Sequence, residues 1–206
     1  HFFMFFIIFA KIHAMKKFIL SIQVLFSMMF FTFGQTIPNG SFESWNKLLF
    51  EYPAGYPYNS QKDLMYYYWL SLPPTLEKVT DAYDGNYAIK LSSHIVGNDT
   101  IFGYFANTDP QISPTQWHGG FPLTEQPEGI AGFYKANFVG NDSAFVVVNF
   151  TKNGSSIGTY FFTIKVSENN YTPFSFLFSP PLPDTPDSVQ FGFAIGNPFD
   201  HVIYDG

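Results

Sequence analysis

Beyond residue 35 the chain is written in short runs of Phe, Tyr, Val and Ile separated by Gly, Pro, Asn and Asp. This is the grammar of strands and turns. Tyr87, Ile89 and Leu91 alternate with Ala88, Lys90 and Ser92, and Val189, Phe191, Phe193 and Ile195 alternate with Ser188, Gln190, Gly192 and Ala194. Phe162, Ile164 and Val166 alternate with Thr163, Lys165 and Ser167, and Phe174, Phe176 and Phe178 continue the habit after Pro173. A period of two sends each apolar set to one face of a sheet and the small or polar set to the other. The run 144–150 is apolar on both faces, which predicts a strand at the centre of its sheet. Lys152-Asn153-Gly154 predicts a tight hairpin into a strand beginning near Gly158. Asp84-Gly85-Asn86 and Gly140-Asn141-Asp142 mark further turns, the second closing the run Phe133–Phe138.

Eight or nine strands at this spacing predict an all-β fold, a two-sheet antiparallel β-sandwich of the jelly-roll kind. Stretches 52–59 and 107–128, rich in Pro and Gly, predict long loops at one end or edge of the sandwich, where binding sites usually sit.

The first 34 residues follow a different pattern. Lys16 and Lys17 precede an apolar run from Phe18 to Phe31, and Thr32-Phe33-Gly34 places small residues before Gln35. These are the parts of a secretory signal peptide over residues 15–34, an apolar helix cleaved after Gly34. Residues 1–14 then read as an upstream extension or a fragment edge. The alternative is a membrane anchor, but the apolar run is short of the ~20 residues a span needs, and a polar turn follows it at once. Export and a secreted or cell-surface location are therefore expected, with no stable membrane span after cleavage.

The chain has no Cys, so disulfides cannot brace the exported domain and its stability must come from its core. Residues 35–206 hold seven Lys, no Arg and all 16 acidic side chains. A surplus of acid without Arg argues against nucleic acid as a partner, since phosphates need cationic side chains, and argues against anionic membrane surfaces for the same reason.

Three segments carry a family likeness. Ile37-Pro-Asn-Gly-Ser-Phe-Glu-Ser-Trp45 resembles the opening strand of jelly-roll domains related to carbohydrate-binding modules. Asp81-Ala-Tyr-Asp-Gly-Asn-Tyr-Ala-Ile-Lys-Leu91 resembles their second signature strand, and the segment from Gly120 to Lys135 is similar to one common in secreted Bacteroidetes proteins. The likeness is to the putative carbohydrate metabolism domain and galactose-binding-like modules found in proteins with type IX secretion sorting tails. It implies a closing strand just past Tyr204-Asp205-Gly206, so that the sandwich is expected to lack its final strand. It also implies a structural calcium, with Glu43 as ligand and Asp84 or the Gly85 region supplying loop oxygens. The alternative reading of Glu43 is a carboxylate that satisfies backbone amides near a sheet edge.

Aromatic residues make up 21% of the chain, and sugars stack on exposed rings. Trp117 and His118 in the long loop, and Tyr66 and Tyr68 in the run Tyr66-Tyr67-Tyr68-Trp69, are the candidate ligand contacts; alternation leaves open whether Tyr67 and Trp69 face out instead. Trp45 reads as packing. Gly154-Ser155-Ser156-Ile157-Gly158 matches the hydrolase pattern G-x-S-x-G, but it lies in a strand-turn-strand hairpin, whereas the nucleophile elbow needs a following helix. No catalytic residue emerges. The expected function is a non-catalytic module that binds polysaccharide or another glycan, or mediates adhesion. The alternatives are a carbohydrate-active enzyme with its site in loops 52–59 and 107–128, where Glu125 and Glu128 lie, and a purely structural spacer.

Overall fold

The structure, a computed structural model, describes residues 35–47, 50–60, 73–96, 99–109, 117–140 and 142–196, all within one compact unit, Gln35–Gly206. The signal segment 15–34, the extension 1–14, Tyr66 and Tyr68, and the chain end near Gly206 lie outside the described residues.

The described elements are β-strands: β1 (Trp45–Lys47), β2 (Glu51–Pro53), β3 (Tyr58–Asn59), β4 (Leu76–Val79), β5 (Ala88–Leu91), β6 (His94–Val96), β7 (Asp99–Ile101), β8 (Tyr104–Ala106), β9 (Phe121–Pro122), β10 (Gly129–Ala136), β11 (Ala144–Lys152), β12 (Ser155–Ile164), β13 (Glu168–Leu177) and β14 (Ser188–Ile195). Every pairing is antiparallel. The main sheet runs β12-β11-β14-β8-β3, with β9 also on β14, and β10 pairs with β13 in a separate ribbon. Among the described residues no helix is long and apolar enough to cross a membrane.

The long strands follow the alternation. On β11 and β14, Val146, Val148, Phe150, Val189 and Phe191 enter the core together with Tyr160 of β12. The ribbon supplies the facing layer: Ile130 of β10 is buried, and Phe176 of β13 stacks on Phe162 of β12 at 4.6 Å. Phe178, just past β13, meets Phe150 edge-on at 5.0 Å. Burying such rings contributes ~1.5–3 kcal/mol each, and edge contacts add ~0.5–1.5 kcal/mol beyond area. β11 lies between β12 and β14, as its doubly covered sequence predicts. Asn153 (φ 52) and Gly154 (φ 76) form the β11–β12 turn; two positive φ values in a two-residue loop are what Asn-Gly supplies.

Three expectations about the long strands differ from the structure. Val166 is exposed, because β12 ends at Ile164 and the chain turns at 165–167 before β13. The run at Phe133 forms a strand over Gly129–Ala136, displaced toward the N-terminus and ending before Phe138. Finally, the polar set of β14 does not face water: Gln190 and Ala194 are buried. A peptide segment from the long loop lies over Gln190, and that contact fixes a buried polar network.

Gln190 Nε2 donates to the Gly119 carbonyl at 2.6 Å, and Ser188 Oγ donates to the same oxygen. Since a carbonyl only accepts, the Gln190 amide has one allowed orientation, with Oε1 toward β11. There it accepts from Asn149 Nδ2 at 3.0 Å, leaving Asn149 Oδ1 to accept from the Ser156 and Thr159 hydroxyls at 2.6 and 2.8 Å. Asn107 anchors the start of the same stretch, donating through Nδ2 to the Val189 carbonyl and accepting from the Phe191 amide. Both described ends of the 107–120 stretch are thus tied to β14.

Candidate functional site

The segment 39–45 is a knot of local bonds. Asn39 donates from Nδ2 to the carbonyls of Ser44 and Ala54 and accepts the Ser44 amide on Oδ1. Trp45 Nε1 returns to the Phe42 carbonyl. These bonds hold Phe42 in the left-handed region at φ 56, a conformation that costs a bulky residue ~1–3 kcal/mol unless its surroundings determine it. The Phe42 ring packs edge-on against Phe105 at 5.7 Å and tilts against Tyr56 at 5.9 Å, which offsets that strain by burial.

With Phe42 turned inward, Glu43 points to the loop before β5. Its Oε1 accepts the backbone amides of Asn86 and Tyr87 at 2.7 and 3.0 Å, and its Oε2 accepts Asn86 Nδ2 at 2.9 Å. These bonds, the Asn86 side chain foremost, hold the Glu43 carboxyl below its ordinary value, with nearby Lys78 acting in the same direction. Lys78 Nζ sits 3.8 Å from the centre of the Tyr87 ring and 5.5 Å from that of Trp45. Gly85 (φ 74) passes so close that a Cβ there would stand 2.4 Å from Glu43 Oε1. Glu43 is therefore a latch between segment 37–45 and segment 81–91.

Calcium takes ~6–8 oxygen ligands. The described partners of Glu43 are N–H donors, Asp84 next to Gly85 is exposed, and no group of three or more His, Asp or Glu able to hold a metal occurs among the described residues.

The latched loop carries Asp81 and Tyr83. Tyr83 lies flat on Phe133 of β10, ring centres 3.5 Å apart and planes 12° off parallel, with Tyr171 of β13 tilted beside it at 6.1 Å. Tyr83 is 56% exposed and Phe133 44%. Lys135 forms an ion pair with Asp81 at the border of this stack, and Tyr171 Oη donates to the Asp81 carbonyl. The pair raises the Lys135 pKa through the hydrogen bond to Asp81, and burial raises that of Tyr171. The result is an open aromatic platform on a paired strand face, with polar groups at its rim.

Trp117 and His118, singled out from the sequence, lie elsewhere. Trp117 is only 2% exposed, so its ring offers no free face for a sugar. The neighbouring Gly119 carbonyl is held by Gln190 and Ser188, which draws this part of the chain onto the sheet. His118 is exposed, and its carbonyl accepts from Thr108. Stretch 52–59 likewise packs inward: the Tyr56 ring meets Phe42, Phe105, Phe121 and Phe191, and burial pushes its phenol pKa up. Glu125 and Glu128 are exposed. Sequence reasoning missed Tyr83 and Phe133. A Phe on an alternating strand reads as core, and nothing local pairs it with a Tyr 50 positions earlier.

Comparison with protein-family models, curated proteins and solved structures gave no match to this chain.

Proposed function

We propose that this chain is an exported, non-catalytic β-sandwich module of the jelly-roll kind that binds glycan at the Tyr83–Phe133 platform. The observation that carries the reading is the stack itself. Large planar rings normally find cover in a core; here one ring is laid flat on another, and the residue that carries the outer ring, Tyr83, stays more than half exposed. The C–H face of a sugar stacks on such a surface, and the Lys135–Asp81 pair at the rim supplies a donor and an acceptor for hydroxyls. The loop that carries Tyr83 is held by Glu43 from a distant segment, so the platform is formed before a ligand arrives, and little ordering cost remains for binding.

The test is thermal unfolding of the whole chain with soluble polysaccharides, together with a glycan array. A ligand at 100 times its Kd raises stability by ~2.7 kcal/mol, and Tyr83→Ala abolishes the rise while leaving the unliganded Tm close to wild type. Unchanged binding by Tyr83→Ala would remove the platform from the account. Release of reducing sugar would replace the binding reading with an enzymatic one.

A further inference from the structure

The platform does not end at Tyr83. In the β10–β13 register Phe133 lies opposite Pro173, Ala131 opposite Ser175 and Gly129 opposite Leu177. Residues opposite one another, and those two apart along a strand, share a face; Ile130, Gly132 and Tyr134 therefore take the core side with Phe176, Phe174 and Thr172. The outer face then presents Phe133 and Pro173, then Ala131 and Ser175, then Leu177, which is 72% exposed. At ~3.3 Å per residue this strip runs ~13 Å from Phe133 to Leu177, and two strands ~4.8 Å apart make it ~10 Å wide.

From this strip we infer that the ligand is a neutral, extended polysaccharide chain lying along the strands from Tyr83 to Leu177, an inference that rests on the glycan-binding reading above. Three observations select that occupant. The first is length: a pyranose is about the size of one phenyl ring, so a face reaching from Phe133 to Leu177 holds more than one sugar. The second is charge: the described cation bordering the strip, Lys135, is already paired with Asp81, so it is not left unpaired for an acidic sugar. The third is area. A strip of ~13 by ~10 Å offers ~130 Å², while a stable protein partner needs ~800 Å² per side. A protein partner would have to extend well beyond the strip onto the polar residues around it, whereas a short run of sugars fits the strip itself.

Isothermal titration of the full chain with glucose, xylose and mannose oligosaccharides tests the inference. The hexasaccharide of the preferred sugar is expected to bind about tenfold more tightly than its disaccharide. Leu177→Ala is expected to weaken the hexasaccharide by about three- to tenfold, as partial loss of Leu contact predicts, and to leave the disaccharide unchanged. Tyr83→Ala is expected to weaken both. Equal affinities for disaccharide and hexasaccharide, or tighter binding of hexagalacturonate than of any neutral hexasaccharide, would overturn the extended neutral ligand while Tyr83-dependent binding still stood. No binding of any sugar by the folded chain would overturn both readings. A dimer in sedimentation that Leu177→Ala dissolves would assign the strip to a second copy instead.

Discussion

Replacing Asn149 by Leu probes the polar network that ties the long loop to the main sheet. Asn149 is 0% exposed and Gln190 1%, and the substitution keeps the branched shape, with somewhat larger methyl groups, while removing the amide that donates to Gln190 and accepts from Ser156 and Thr159. The Ser156 and Thr159 hydroxyls are half-buried and turn to water at little cost. Gln190 Oε1 has no such outlet, because its Nε2 is fixed on the Gly119 carbonyl and the amide cannot flip. One stranded buried acceptor costs ~1–3 kcal/mol. Urea unfolding with m of ~1–3 kcal/mol/M then shows a midpoint lower by about 1 M, with m unchanged. The companion is Gln190→Leu in both backgrounds: removing both partners strands fewer groups, so the double variant costs less than the two singles together, with a coupling of ~0.5–3 kcal/mol. A loss below about 0.5 kcal/mol for Asn149→Leu, or strict additivity in the cycle, would refute the network as an energetic unit.

Two further substitutions test the latch. Glu43→Gln lowers the Tm at neutral pH and speeds amide exchange at Asn86 and Tyr87. Because the folded carboxyl titrates below its ordinary value of 4.5, its contribution is complete above that value and is lost as pH falls through the folded one. The gap between wild type and variant therefore narrows in acid, and an equal gap at neutral and strongly acid pH would contradict the assignment. Gly85→Ala puts a Cβ at positive φ and against Glu43 Oε1; it costs at least ~1–2 kcal/mol from the backbone alone. In a Glu43→Ala background the collision disappears and only the backbone part remains, as chemical denaturation of the four proteins would show.

How much of this was legible beforehand depended on the range of the interactions. The long strands β11, β12, β13 and β14 follow from alternation and from Asn153-Gly154, because side-chain period and turn chemistry are local. Gln190 was not readable as buried, since a polar residue at an outward position reads as solvated unless a distant segment covers it; here the cover includes the Gly119 carbonyl, 71 residues from Gln190. The same limit governs the platform. Phe133 sits on the outer face of a ribbon whose inner face is also aromatic, so composition does not say which ring is open. Trp117, in a loop by pattern, is a core residue because that loop folds back. Glu43 was read as either calcium ligand or amide acceptor, and its partners, Asn86 and Tyr87, lie more than 40 residues away.

The central claim is that ligand meets this protein at the Tyr83–Phe133 face. Amide chemical-shift mapping of the labelled chain during titration with the tightest-binding polysaccharide fragment tests it most directly. The account predicts shifts confined to residues 81–87, 131–135 and 171–177. Shifts centred instead on Trp117–Gly120, or on the covered face of β11 and β14, would contradict it.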